Sequence, residues 1–169
     1  SLNSLIFHKL ENILSNERPD LIIVQGDTLS AYVGALSAFY NKIKISHVEA
    51  GLRSNNIFSP YPEEFFRKSI SLIADYNFAP TKTNKINLLK ENVHKEKIYV
   101  TGNTVIDTLK TTLNSFKKNK LLNKNMEEVI DRELPFDWKR KKYVLITGHR
   151  RENIGKAFFN IMEAFNYLS

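Results

Sequence analysis

The sequence predicts an α/β fold in which helices cover both faces of a parallel sheet. Short runs of aliphatic and β-branched residues alternate along the chain with longer segments of helical periodicity. The short runs are apolar at consecutive positions, which is typical of strands buried between two layers of helices. Polar clusters follow several of these runs, as they do at the carboxyl ends of strands in open α/β sheets. Neighbouring strands in such a sheet are joined by right-handed crossovers.

The first part of the chain is predicted as helix, strand, helix and strand. Apolar side chains recur at helical spacing near the start of the chain, and Pro19 ends that amphipathic helix. The continuous apolar run at 21–24 predicts a strand, which Gly26 ends. A helix is predicted at 31–40 and a second strand at 43–48.

A loop rich in Gly, Asn, Ser and Pro follows at 50–61. Pro62 and the two acids after it are typical of the first turn of a helix, which is predicted to run to about residue 74. The alternation then continues with strands at 76–79 and 97–100 and helices at 81–91 and 104–116.

The last part of the chain has a different composition. Residues 117–142 are rich in Lys and Asn and predict a connection between domains, with one short helix at 126–130. A strand at 143–146 and a helix that runs from residue 154 to the end of the chain are predicted to begin a new unit.

Composition and charge exclude several classes of protein. The 169 residues are 42% hydrophobic and 25% charged, which is ordinary for a soluble globular protein. Without cysteine there is no disulfide and no thiolate chemistry, which suits a reducing cytoplasm. No apolar run approaches the roughly 20 residues of a membrane span. The net charge of +7 suggests a nucleic-acid binder, but Lys and Arg are spread along the chain, so a solvated surface is favoured.

Four polar clusters each follow a predicted strand. They are 26–28 (GDT), 47–53 (HVEAGLR), 101–104 (TGNT) and 147–153 (TGHRREN). Because the carboxyl ends of parallel strands meet at one edge of a sheet, we expect Asp27, Glu49 and Thr101 at the same edge.

Several of these side chains also have a purely structural interpretation. Asp27 or Thr28 can cap the helix that follows, because a side-chain oxygen there satisfies a free backbone N–H group. Glu49 can form a structural ion pair with Arg53. Glu63 can be no more than an acid in the first turn of a helix.

The later clusters are equally open to structural interpretations. Asn103 and Thr104 are expected to cap the helix that follows them. His149 is as compatible with packing as with catalysis. Gly148 and the helix start beyond it could bind a phosphate, although a glycine before basic residues is a weak signal.

Six segments of the chain form a specific series when they are taken together. They are 25–28 (QGDT), 47–53 (HVEAGLR), 62–64 (PEE) with Arg67, 78–81 (FAPT), 101–107 (TGNTVID) and 148–153 (GHRREN). In order and spacing the series resembles the bacterial UDP-N-acetylglucosamine 2-epimerases of the non-hydrolysing type. The related hydrolysing epimerases differ from this chain at the second cluster.

The resemblance implies a GT-B-type architecture, in which two Rossmann-like domains face each other across a cleft for a nucleotide sugar. Residues 1–120 would form the N-terminal Rossmann-like domain without its first strands, 121–135 the connection, and 136–169 the start of the C-terminal domain. Since the chain begins with Ser1 inside a predicted helix, we interpret it as part of a longer protein that is truncated at both ends. The full-length protein is expected to be a cytoplasmic homodimer.

The resemblance also implies a reaction, the inversion of C2 in UDP-N-acetylglucosamine to give UDP-N-acetylmannosamine for cell-surface polysaccharides. Because the C2 proton is not acidic, UDP leaves first to give 2-acetamidoglucal and then adds back. Carried over by motif, Asp27, Glu49 and Glu63 are the catalytic carboxylates that line the sugar site. His149 is a fourth catalytic candidate, which would face them from the second domain and bind the sugar nucleotide or its phosphates.

Further implications concern binding. Arg67 and Arg150 are candidates for contact with the nucleotide or with an effector. UDP-N-acetylglucosamine is implied as an activator at a second site as well as the substrate. No metal and no redox cofactor is implied, and neither a nucleic acid nor a membrane is an expected partner.

Two other functions stay open on the sequence. A GT-B glycosyltransferase that uses a UDP-sugar would share the fold, but it would need an acceptor pocket and gives little reason for Asp27, Glu49 and Glu63 to converge. Alternatively, the chain by itself binds nucleotide sugar without catalysis, and we expect no epimerase activity from the 169 residues alone.

Overall fold

The structure is a computed structural model that describes residues 2–147 and 155–168. The chain divides into two compact units, residues 1–107 and residues 108–169. The first unit contains a sheet and its helices, and the second contains helices and irregular segments.

A four-stranded parallel sheet forms the centre of the first unit. Its strands lie side by side in chain order, and the sheet confirms the predicted fold class. The strands are β1 (Leu21–Gln25), β2 (Lys44–Val48), β3 (Tyr76–Ala79) and β4 (Ile98–Val100).

Seven α-helices occur in the described parts of the chain. They are α1 (Leu2–Glu17), α2 (Leu29–Tyr40), α3 (Glu63–Ile73), α4 (Lys82–Lys90), α5 (Thr104–Lys118), α6 (Lys120–Glu133) and α7 (Lys156–Leu168). A single 3₁₀ turn, Lys95–Lys97, precedes β4. None of these helices has the length and apolar character that crossing a membrane would require.

The core of the first unit lies on one face of the sheet. Val24 and Ile45 pack there against three small residues of α2 and against Ile70 of α3. A second cluster joins Leu88 of α4 to the ends of β3 and β4 on that face. Strands that follow one another in one direction through right-handed crossovers place their connecting helices on a single face.

Among the described residues of this unit, the helices that connect the strands pack on one face of the sheet. On the opposite face Ile23 is 66% exposed and Tyr99 is 43% exposed. The apolar runs that suggested double burial therefore belong to strands with one well-covered face. The sequential order of the strands, which the apolar pattern does not encode, decides where the helices lie.

The second unit departs from the predictions in two places. A helix, α6, occupies most of the segment predicted as a connection with a short helix at 126–130. Asn119 begins this helix, because its side chain accepts a hydrogen bond from the Leu122 amide at 3.0 Å. The strand predicted at 143–146 does not form, since a parallel strand needs a neighbour and no described residue pairs with this segment.

Candidate functional site

The loops at the carboxyl edge of the sheet are fixed by backbone hydrogen bonds that continue beyond the strands. Gly26 N donates to Val48 O, and Ala50 N donates to Phe78 O, each at 3.0 Å. Thr101 N donates to Ala79 O at the same distance. The residues after β1, β2 and β4 therefore lie at one edge of the sheet, which confirms the predicted placement of Asp27, Glu49 and Thr101.

Thr28 and Asp27 have separate roles at the start of α2. Thr28 Oγ1 accepts from Ala31 N at 3.2 Å and is the N-cap of the helix. Asp27 Oδ2 instead accepts from Arg67 Nη2 at 2.5 Å. The capping interpretation thus applies to Thr28, and the carboxylate of Asp27 is engaged by a cation from α3.

His47 is a buried support beneath this turn. Its side chain is fully buried, and Nε2 donates to Gly26 O at 2.8 Å. Nδ1 is buried without a hydrogen-bond partner among the described residues. Burial lowers the pKa of His47 to about 4, against the opposing effect of the Gly26 hydrogen bond. A neutral imidazole therefore holds the Gly26 carbonyl in place at ordinary pH.

Glu49 is the unusual residue of the edge. Its backbone has φ +69°, a left-handed conformation that costs a non-glycine residue roughly 1–2 kcal/mol. Its carboxylate lies beside Gly26, since a Cβ on that glycine would be 3.7 Å from Glu49 Oε2. Within residues 2–147 and 155–168, Glu49 makes no hydrogen bond or ion pair. A strained, half-buried acid without a partner is typical of a functional position.

Arg53 does not pair with Glu49, so that interpretation was wrong. Its guanidinium binds both carboxylate oxygens of Glu91, with Nη2 at 2.6 Å and Nε at 2.9 Å. Arg53 also donates to Leu52 O at 2.7 Å and to Ser71 Oγ at 3.3 Å. Its side chain is 1% exposed. Arg53 therefore ties the loop after β2 to α3 and to the end of α4.

The two acids at the start of α3 differ in burial. Glu63 is half-buried, and its side chain has no hydrogen bond or ion pair within the described residues. Glu64 is fully buried, and its Oε2 accepts from Ser54 N at 3.0 Å and lies 3.5 Å from Arg67 Nη1. Arg67 therefore lies between two carboxylates, those of Asp27 and Glu64.

Glu64 is the residue that sequence reasoning missed. The sequence presents Glu64 only as an acid in the first turn of a helix and in the PEE segment, whereas the resemblance points to Glu63. One signal was available, because Glu64 and Arg67 are three residues apart on a helix and such a pair can meet on one face.

The cluster after β4 begins α5. Asn103 Oδ1 accepts from Val105 N at 3.0 Å, which confirms that Asn103 caps this helix. Thr104 Oγ1 accepts from Gln25 Nε2 at 3.3 Å and so links the start of α5 to the end of β1. The remaining candidates, His149 and Arg150, lie outside the described residues.

An apolar groove of about 520 Å³ opens beside the first residue of α2. Aromatic side chains from the loop before α3 and from α3 itself form most of its wall, among them Phe58, Tyr61 and Phe65. None of Asp27, Glu49 and Glu63 lines this groove, which therefore lies next to the acids and not over them. No group of three or more potential metal ligands occurs among the described residues.

The arrangement is suited to proton transfer at a sheet edge. Glu49 is a carboxylate that has no partner in the part of the chain the structure describes, and Asp27 is a carboxylate oriented by a guanidinium. Two such groups with different surroundings can divide the roles of acid and base.

Comparison with known proteins gives a consistent result. The family model described as UDP-N-acetylglucosamine 2-epimerase matches residues 1–169. The UDP-N-acetylglucosamine 2-epimerase of Campylobacter jejuni is 44% identical over 160 residues, which cover 95% of this chain and 42% of that protein.

Two crystal structures show the same fold. One is the UDP-GlcNAc 2-epimerase from Neisseria meningitidis bound to UDP-GlcNAc, with a TM-score of 0.88 and 39% identity over 98% of this chain and 43% of that one. The other, from Methanocaldococcus jannaschii in complex with UDP-GlcNAc and UDP, has a TM-score of 0.84 and 36% identity over the same shares, 98% and 43%. The chain thus spans about two fifths of the length of its relatives. It belongs to the UDP-N-acetylglucosamine 2-epimerase family.

Proposed function

We propose that the whole protein interconverts UDP-N-acetylglucosamine and UDP-N-acetylmannosamine at C2. The observation that carries this proposal is Glu49, which is strained and has no partner among residues 2–147 and 155–168, at the edge where Arg67 orients Asp27. Membership of the family and the UDP-GlcNAc bound in two similar structures support the same substrate.

The proposed reaction moves one proton and one leaving group in each direction. A carboxylate removes the C2 proton while the C1–O bond to UDP breaks, which leaves 2-acetamidoglucal and UDP. UDP then re-forms the bond to C1, and a proton is delivered to the opposite face of C2. No redox step is involved, because every bond is made and broken with an electron pair.

We assign the proton transfers to Asp27, Glu49 and Glu63. Glu49 and Glu63 have no partner within the described residues, so their carboxylates are available to a substrate, and Arg67 fixes the orientation of Asp27. His149 is proposed to contact the sugar nucleotide from the second domain, together with Arg150.

The wider properties are proposed on the resemblance. The N-terminal domain ends at about residue 120, the C-terminal domain begins at about residue 136, and the whole protein is a cytoplasmic homodimer. UDP-N-acetylglucosamine also activates the enzyme at a second site, and Arg67 makes a further contact with the nucleotide or the effector. The product is used for cell-surface polysaccharides.

Replacement of Asp27 by Asn in the full-length protein tests this function. The amide keeps the size of the side chain but cannot accept a proton, so turnover should fall about 10²-fold or more. Thr28 and not Asp27 caps α2, so the fold should not depend on the carboxylate for that cap.

Asp75→Asn is a matched control. Asp75 Oδ2 accepts from Ile45 N at 3.0 Å before the amino end of β3, away from the carboxyl edge, and an amide oxygen can still accept that bond. Its turnover should stay near wild type. A rate for Asp27→Asn within about threefold of wild type, roughly 0.7 kcal/mol in barrier height, would remove Asp27 from the mechanism.

A further inference from the structure

A network of alternating positive and negative side chains runs from the carboxyl edge of the sheet across α3 to the end of α4. Three acids and three bases take part, and each is within 4 Å of the next. In order they are Asp27, Arg67, Glu64, Lys68, Glu91 and Arg53. Their formal charges cancel, which is the condition for placing so many ionised groups in a partly buried region.

Glu64 is the buried centre of this network of charges. Its side chain is 0% exposed, whereas that of Asp27 is 26% exposed. Oε2 accepts from Ser54 N at 3.0 Å, and Oε1 lies 3.9 Å from Lys68 Nζ and has no hydrogen bond to any described residue. A carboxylate in this position cannot be hydrated, so it depends on the two cations beside it for its charge.

Arg67 depends on Glu64 in return. The Arg67 side chain is 12% exposed, and Nη2 is bound to Asp27 while Nη1 lies 3.5 Å from Glu64 Oε2. Its Nε is buried without a hydrogen-bond partner among the described residues. The guanidinium therefore has a carboxylate on each side, Asp27 at the carboxyl edge of the sheet and Glu64 within α3. If Glu64 loses its charge, Asp27 is the one carboxylate of the two that still holds Arg67.

We propose that Glu64 is a positioning residue for the epimerase reaction, which acts on Asp27 through Arg67. The inference rests on the function proposed above. Glu64 is too deeply buried to touch a substrate, so its contribution is to hold the Arg67 guanidinium in the one orientation that fixes the Asp27 carboxylate. Through Ser54 N it also anchors the loop that leads to Glu63.

A double-mutant cycle on the full-length enzyme tests the proposal. It compares the wild type, Glu64→Gln, Asp27→Asn and the double variant by their kcat and KM for UDP-N-acetylglucosamine. Glutamine keeps an oxygen for the Ser54 amide but loses the charge that anchors Arg67. We expect Glu64→Gln to lower kcat about 10-fold or more with little change in KM, because the substrate does not contact Glu64.

The decisive comparison is made in the Asp27→Asn background. If Glu64 acts through Asp27, adding Glu64→Gln to Asp27→Asn should lower kcat by less than about twofold. A structural defect would instead lower kcat by the same factor in both backgrounds, because it would reduce the folded fraction whichever residue stands at position 27. Glu128→Gln is a matched control on the surface, since Glu128 pairs with Lys124 at 3.7 Å with both side chains exposed, and it should leave kcat unchanged.

If Glu64→Gln does not fold, Arg67→Lys replaces it in the cycle. Lysine keeps the positive charge but has a single nitrogen, so it cannot bind Asp27 and Glu64 with separate donors. An equal loss of kcat in both backgrounds, or a wild-type kcat for the Glu64→Gln protein, would overturn the positioning role alone. A wild-type kcat for Asp27→Asn would overturn the proposed function, and with it the need to position that carboxylate.

Discussion

Gly51 is the position at which a single methyl group should do the most damage. Its φ of +86° lies in the left-handed region, and a Cβ there would be 2.4 Å from the carbonyl oxygen of Asn84 and 2.9 Å from its carbonyl carbon. These are backbone atoms within α4, so they cannot turn aside as the end of a side chain could. The Gly51 carbonyl is also fixed, because it accepts from Asn87 Nδ2 at 3.0 Å.

The cost of Gly51→Ala can be estimated from its two parts. The left-handed conformation costs alanine about 1–2 kcal/mol, and forcing a methyl group into filled space costs about 1–3 kcal/mol more. We therefore expect a loss of about 2–5 kcal/mol in the free energy of unfolding. Gly102→Ala is the matched control, since Gly102 has φ +87° and a Cβ there would meet no described atom within 4 Å. It should lose only the conformational part, about 1–2 kcal/mol.

Urea denaturation followed by circular dichroism measures both values in parallel. Because the two glycines have nearly the same φ, the difference between the variants isolates the clash with α4. Equal losses, within about 0.5 kcal/mol, would show that the loop after β2 moves away from α4 at little cost and that the steric argument fails.

Two further predictions concern the support of the same edge. Gly34→Ala in the middle of α2 should raise the free energy of unfolding by about 0.5–1 kcal/mol, because alanine favours a helix and the new methyl would meet Val24 Cγ1 at an ordinary contact distance of 3.5 Å. Thermal unfolding measures this gain in stability, and a loss of stability would contradict the prediction. The pKa of His47 is lowered from 6.5 to about 4, so as pH falls from 6.5 to 4 the unfolded state binds a proton that the folded state does not. The free energy of unfolding should fall by roughly 3 kcal/mol over that pH window, and His47→Gln should remove this part of the pH dependence. If the free energy of unfolding falls equally steeply with pH in the wild type and in His47→Gln, the prediction is refuted.

The strands and their common edge could be predicted because both depend on local pattern. The apolar run at 21–24 and the glycine after it place β1 to within one residue of its observed end. Alternation with helices then makes the sheet parallel, and a parallel sheet brings Asp27 and Glu49 to one edge without any knowledge of contacts.

The choice of ion-pair partners could not be predicted, because it depends on which loops packing brings together. Arg53 is four residues from Glu49 in sequence, yet its partner is Glu91, which is 38 residues away. The left-handed backbone of Glu49 directs its carboxylate toward Gly26, while Arg53 turns toward the end of α4. Sequence distance is a poor guide at a turn, where neighbouring side chains can leave in opposite directions.

The error at α6 had a different origin. Its Lys and Asn content suggested a connection, but Lys, Leu, Glu and Met are good helix formers and Asn119 is a good N-cap. Local helix propensity and capping therefore decide the structure of this segment, and its overall Lys and Asn content does not.

The HVEAGLR segment shows why a short string can be so specific. His47 supports the Gly26 carbonyl, Gly51 allows α4 to approach, and Arg53 ties the loop to α3 and α4. All three residues support the conformation of the loop through these contacts. Glu49 is the one acid of this segment, and its carboxylate has no partner among the described residues while its backbone is held in a conformation that costs energy. Since strain of this kind persists only when the surroundings enforce it, the structural residues of the segment are what make the placement of Glu49 possible.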